Sequence, residues 1–239
     1  MTARFEELAW SETALGAISL RRRREPSLGV DVYEAKLGEE FLMSSLFTVA
    51  EVELARLALA ELPEPDINVV VGGLGLGYTA RAVLDDPRVR SLVVVEAIGD
   101  VIDWHQRDLL PDTAGMAADP RIRLVHGDFF ATVALGRDVD PDAPGQKFNA
   151  VLVDIDHTPR HVLHPSHAEF YTAEGLRRLA RYLHPGGVFA LWSDDPPDEA
   201  FQDELAAAFA ASTAHVVTFP NPITGGVSSN TVYVASTVN

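Results

Sequence analysis

Apolar and polar positions along this chain fall into two regimes. One is a stretch of short, partly alternating runs; the other is a series of near-continuous apolar runs separated by helical segments. From Ala17 to Ser45 the runs are short and are broken by turn residues at Glu25-Pro26-Ser27 and Leu37-Gly38-Glu39. Period-two alternation sends one strand face to a core and the other to water, so this stretch predicts hairpins with strands near 17–24, 30–36 and 40–43. A helix follows, with apolar positions at Val52, Leu54, Ala55, Leu57, Ala58 and Leu59. Thr48 reads as its N-cap, with Glu51 three residues on completing a capping box, and Pro63 stops it.

Beyond Pro63-Glu64-Pro65, apolar runs near 68–72, 91–95, 122–125, 149–153 and 187–192 alternate with helical stretches. That rhythm predicts a parallel sheet with right-handed crossovers. The last two runs, near 214–219 and 231–235, are joined by a loop containing Gly225-Gly226 and no helix, which predicts an antiparallel pair on the sheet's edge. The expected division is therefore residues 1–62, a β-hairpin unit with its linking helix, and residues 63–239, an α/β domain.

The first apolar strand of that domain, Val69-Val70-Val71, runs into Gly72-Gly73-Leu74-Gly75-Leu76-Gly77, and Glu96 closes the second strand nineteen residues beyond Gly77. Glycines at 73, 75 and 77 remove the Cβ atoms that hold a ligand off the backbone, and they permit a tight strand-to-helix turn. An acid ending the next strand accepts both hydroxyls of an adenosine ribose. The pair predicts a bound adenosine. Tyr78-Thr79-Ala80-Arg81 follows Gly77, so the pattern is G-x-G-x-G and departs from the dinucleotide fingerprint.

Downstream, a third strand ends in Gly127-Asp128-Phe129, a fourth in Val153-Asp154, and a fifth begins after Leu183-His184-Pro185-Gly186-Gly187. From about Gly29 to Pro196 this succession resembles the class I S-adenosylmethionine-dependent transferases, and within them the spermidine-synthase-like branch. The resemblance implies an α/β fold, a Rossmann-like class I methyltransferase sheet with a small N-terminal β-hairpin unit. It implies S-adenosylmethionine or decarboxylated S-adenosylmethionine as cofactor, held by Gly73, Gly75, Gly77, Glu96, Asp128 and Phe129. Glu96 would take the ribose, Asp128 the adenine amino group and Phe129 the ring face. Asp154 would face the transferred group and its acceptor and receive the acceptor's proton, with Asp156 and His157 as further catalytic candidates.

Four positions depart from spermidine synthases. Gly75 stands where those enzymes carry an acid in Gly-Gly-Gly-Asp-Gly-Gly, and Met43 where they carry Gln. Glu51-Val52-Glu53-Leu54 replaces a Tyr-His-Glu stretch, and Asp154-Ile155-Asp156-His157 replaces Asp-x-x-Asp. Glycine at 75 is expected to leave backbone N–H groups and a helix N-terminus open to a donor carboxylate. The sequence-based expectation is therefore a methyltransferase acting on a small amine-bearing or cationic acceptor. The alternatives are a polyamine aminopropyltransferase and a non-catalytic nucleoside-binding homologue.

Composition narrows the partners. Thirty-five acids against nineteen Lys plus Arg in 239 residues give a formal charge of −16, which repels phosphate backbones and argues against nucleic acid. The one basic run, Arg21 to Arg24, reads as a strand of an edge hairpin blunted by charge. The chain has no cysteine, hence no disulfide framework or thiolate-bound zinc. His157, His161, His164 and His167 crowd one segment, but Pro159 and Pro165 deny them a regular helical face, so the expectation is a loop over the acceptor and no metal site. No h-region and no membrane-length apolar run occur, so a cytoplasmic protein without membrane contact is expected, pairing as a homodimer through the hairpins.

Overall fold

The computed structural model describes residues 5–13 and 16–238. Residues 1–4, which enter the expectation of no signal peptide, lie outside the described residues. The chain opens with β1 (Phe5–Thr13), β2 (Gly16–Glu25), β3 (Val30–Leu37) and β4 (Glu40–Ser44), an antiparallel sheet in the order β1-β2-β3-β4. The hairpin unit thus has one strand more than the alternation predicts. In β1 the register shifts between Glu7 and Ala9, and such a bulge breaks the period-two pattern by which a strand is read.

This extra strand places the arginine run on the inner strand of the edge hairpin β1–β2. β2 is an interior strand, not an edge, and its arginines are matched by acids on both neighbours. Arg22 pairs with Glu6 at 2.7 Å, Arg24 with Asp31 at 3.2 Å, and Arg21 and Arg23 both reach Glu34, at 2.9 and 2.7 Å. Glu34 is only 4 % exposed, a burial that two guanidinium partners make tolerable.

Helix α1 (Val49–Ala60) buries Ala50, Leu54, Ala55, Ala58 and Leu59. Its Thr48 side chain makes no capping hydrogen bond, so the expected capping box does not form. The large sheet contains β5 (Ile67–Gly72), β6 (Val89–Glu96), β7 (Ile122–His126), β8 (Phe148–Val153), β9 (Leu183–Ser193), β10 (Ala211–Asn221) and β11 (Gly226–Ser236). Their order is β10-β11-β9-β8-β5-β6-β7. The strands from β5 to β9 run parallel, and β11 and β10 add antiparallel at one edge, as expected.

Helices α2 (Tyr78–Leu84), α3 (Gly99–Gln106), α4 (Phe129–Leu135), α5 (Ala173–Ala180) and α6 (Glu199–Ala208) complete the domain. Alternate residues of each strand feed two cores. Val69, Val71, Leu92 and Val94 pack with α1, α2 and α3, while Val70, Val93, Val151 and Val153 pack with α4, α5 and α6. Cover on both faces is why these strands read as unbroken apolar runs. β5 pairs with β6 on one side and β8 on the other, and the crevice beyond the carboxyl ends of such diverging strands is where ligands of open α/β sheets bind. Among the described residues no helix is long and apolar enough to cross a membrane.

Candidate active site

Two cavities open along that crevice, and the glycine turn after β5 lies between them. Gly73 has φ 93° and Gly75 φ 48°, left-handed values that glycine adopts without strain. A Cβ on Gly73 would fall 2.2 Å from the Asp154 carbonyl oxygen, and one on Gly75 would fall 2.5 Å from Met43 Sδ. The turn is held from beneath. Leu74 N–H and Ile98 N–H each donate to the Glu96 carboxylate at 2.9 Å, and the His105 ring approaches the Gly75 carbonyl at 2.9 Å. Burial pushes the Glu96 carboxyl up, and these N–H groups pull it partly back.

The smaller cavity, about 300 Å³, is bordered by Gly73, Gly75, Glu96, Asp128, Phe129 and Trp104, a size within the range of small-molecule sites. The six residues predicted to hold a nucleotide are thereby largely gathered; Gly77 instead borders the second cavity. Asp128 also caps α4, accepting from Ala131 N–H at 2.9 Å. Phe129 is 2 % exposed, its ring set edge-to-face against Phe130 and Phe170, so most of it serves the core.

The larger cavity, about 550 Å³, has three carboxylates, Glu51, Asp154 and Asp194, and aromatic walls from Phe41, Phe47, Trp192 and Phe219. Thr79 Oγ1 donates to Asp154 Oδ2 at 2.6 Å. Burial pushes the Asp154 carboxyl up, with the Thr79 hydroxyl opposing. Glu51 is pushed up to about 8 by burial and then by the charge of Asp154. His157 lines the same cavity, 3.4 Å from Glu40, its ring 5.0 Å from that of His161. Both cavities share Leu42, Met43, Gly75, Asp154 and Ile155, and neither has a lysine or arginine among its described lining residues.

Asp156, expected beside Asp154, borders neither cavity. It is 1 % exposed and accepts from Leu163 N–H at 2.7 Å, His167 Nδ1 at 2.9 Å and Tyr171 OH at 2.8 Å. These bonds tie together the 156–171 segment, whose Leu163, His164, Ser166 and His167 border the smaller cavity. The histidines of that segment are divided among Glu40, Asp156, Ser166 and one another. Glu51 and Thr79 were not singled out by sequence as site residues. Glu51's position beside buried Ala50, Leu54 and Ala55 on α1 is the signal that marks it as inward-facing.

The model of the spermine/spermidine synthase domain matches residues 48–224. The chain belongs to this family. A polyamine aminopropyltransferase of Bacillus mycoides is 27 % identical over 176 residues, 70 % of this chain and 58 % of the relative. Putrescine N-methyltransferase 2 of Nicotiana tabacum is 30 % identical over 135 residues, 56 % of this chain and 34 % of the relative. The chain thus spans less than two thirds of the length of either. The crystal structure of spermidine synthase from Thermotoga maritima superposes with a TM-score of 0.70 at 19 % identity, covering 96 % of this chain and 72 % of that one. The fold is that of a spermidine synthase, with its class I methyltransferase-like sheet.

Proposed function

We propose that the protein transfers an aminopropyl group from decarboxylated S-adenosylmethionine to an amine of a small polyamine-class acceptor. The observation that carries this reading is the meeting of two cavities at Asp154, one lined for a nucleoside and the other acidic with aromatic walls. A Glu96 carboxylate with acceptor capacity beyond its bonds from Leu74 and Ile98 N–H, bordering the same cavity as Asp128, fits an adenosyl ligand. A bound S-adenosyl donor supplies an electrophilic carbon whose leaving group departs as a neutral thioether.

The chain's own residues have correspondingly few tasks. Asp154 pairs with the acceptor's ammonium and receives the proton that must leave before nitrogen can attack. Thr79 orients its carboxylate. Asp194 neutralises further positive charge, Glu51 does so once a bound ammonium displaces its proton, and Phe47, Trp192 and Phe219 take up methylene stems and exclude water. His157 acts at the mouth, and Asp156 shapes the wall.

Aminopropyl transfer is favoured over the expected methyl transfer on two grounds. Aminopropyltransferases recur among the relatives, and a lining with carboxylates but no lysine or arginine gives the α-carboxylate of whole S-adenosylmethionine no permanently cationic partner. Methyl transfer is the second reading, supported by Gly75 in place of an acid and by the putrescine N-methyltransferases. Incubation with putrescine and each donor in turn, followed by mass spectrometry, tests the choice. An aminopropylated product is expected. A methylated product alone would establish the second reading, and no product from either donor would leave a non-catalytic nucleoside binder.

A further inference from the structure

Met43 lies at the seam of the two cavities and borders both. It is on β4, placed opposite Ala35 of β3, so the N-terminal sheet delivers it to the glycine turn of the other domain. Its sulfur accepts the Leu76 N–H at 3.2 Å. Other amides of the turn are also engaged: Gly73 N–H donates to the Val95 carbonyl at 2.9 Å, Leu74 N–H to Glu96 at 2.9 Å, and Gly77 N–H to the Leu74 carbonyl at 2.8 Å. The sequence-based expectation that glycine at 75 leaves N–H groups open to a donor carboxylate is therefore narrowed, since four amides of the turn have partners within the protein. The N–H groups of Gly73, Leu74, Leu76 and Gly77 are each already turned to a partner within the protein.

Of these partners Met43 is the exchangeable one. A thioether is a weak, uncharged acceptor on a flexible stem, whereas Glu96 and the carbonyls are strong acceptors built into the fold. The same sulfur occupies the space a side chain at 75 would need. Any donor tail reaching from the nucleoside cavity toward Asp154 passes this point. We infer that Met43 is a donor-selecting residue: its thioether occupies the turn N–H that a donor carboxylate would require, so the site takes the donor that lacks one. This rests on the nucleoside reading above.

Competition calorimetry with S-adenosylhomocysteine and its decarboxylated form, neither of which reacts, tests the inference without turnover. The native protein is expected to bind the decarboxylated nucleoside more tightly. Met43→Ala frees the Leu76 N–H and should move the ratio toward the carboxylate-bearing nucleoside by about tenfold, the scale of one hydrogen bond to a charged group. Met43→Leu keeps the bulk while removing the acceptor, and should move the ratio the same way by less, so the inference stays testable if the alanine variant fails to fold. A native preference for the carboxylate-bearing form, or a ratio unchanged in the folded variants, overturns it. Binding of neither nucleoside to the native protein would instead overturn the nucleoside reading on which it stands.

Discussion

Glu51→Gln removes a charge that the larger cavity disfavours, and unfolding measured across pH reads how strongly. The carboxyl is moved from an ordinary 4.5 to about 8. Below the lower value it is protonated in folded and unfolded chains alike, and stability is unaffected. Between the two values the unfolded chain ionises while the folded chain keeps its proton, so the folded state binds more protons and stability falls as pH rises. Above about 8 the folded group ionises too, and the loss is complete. At roughly 1.4 kcal/mol per pH unit the full effect is about 5 kcal/mol. Glu51 is half-buried and shares its repulsion with Asp154, so the part visible in solution is smaller, about 2 kcal/mol or more. Urea unfolding from about pH 5 to about pH 9 should show the native protein losing most of that, while the glutamine variant loses clearly less. Glu96 and Asp154 titrate in both proteins, so the difference isolates the Glu51 site. Parallel pH profiles for the two proteins would refute the reasoning.

Three further substitutions separate the roles assigned above. Asp154→Asn should fold and bind nucleoside but turn over at least ~100-fold more slowly, the scale of a lost proton acceptor; near-normal turnover would make it structural. Asp156→Ala should act in the opposite sense, losing about 3 kcal/mol of stability in chemical denaturation because His167 and Tyr171 are left without their buried partner. A variant as stable as the native protein would remove that role. Glu96→Ala should weaken S-adenosylhomocysteine by about 2 kcal/mol or more in calorimetry, and unchanged affinity would place the nucleoside elsewhere.

Much of the fold was readable because its central strands carry the signal on both faces. Val69 to Val71 and Val93 to Val95 are buried against two cores, which leaves no polar interruption to blur them. β1 was not readable, since a bulge and five exposed or half-exposed polar positions hide its alternation. The glycine turn announced itself because its chemistry is local. Glu51 did not, because Thr48 and Glu51 satisfy the local pattern of a capping box while tertiary packing turns the carboxylate to a cavity. Asp154 and Asp156 are two apart and would share one face of a strand, but β8 ends at Val153, and in the irregular chain beyond it the two part company. Met43 has no local signal at all; only the β3–β4 register carries it to the turn.

The closeness of Gly73 to Asp154 bears on how such a protein can diversify. With 2.2 Å between a Cβ at 73 and the Asp154 carbonyl oxygen, donor turn and acceptor carboxylate share a single wall, and a side chain added on one side is felt at once on the other. The outer face of the acceptor cavity is under no such constraint, because Phe41, Phe47 and Phe219 come from three separate elements, β4, the segment before α1 and the edge strand β10. Acceptor-side aromatics can thus be altered one at a time, whereas a side chain added at Gly73 demands coordinated change around Asp154.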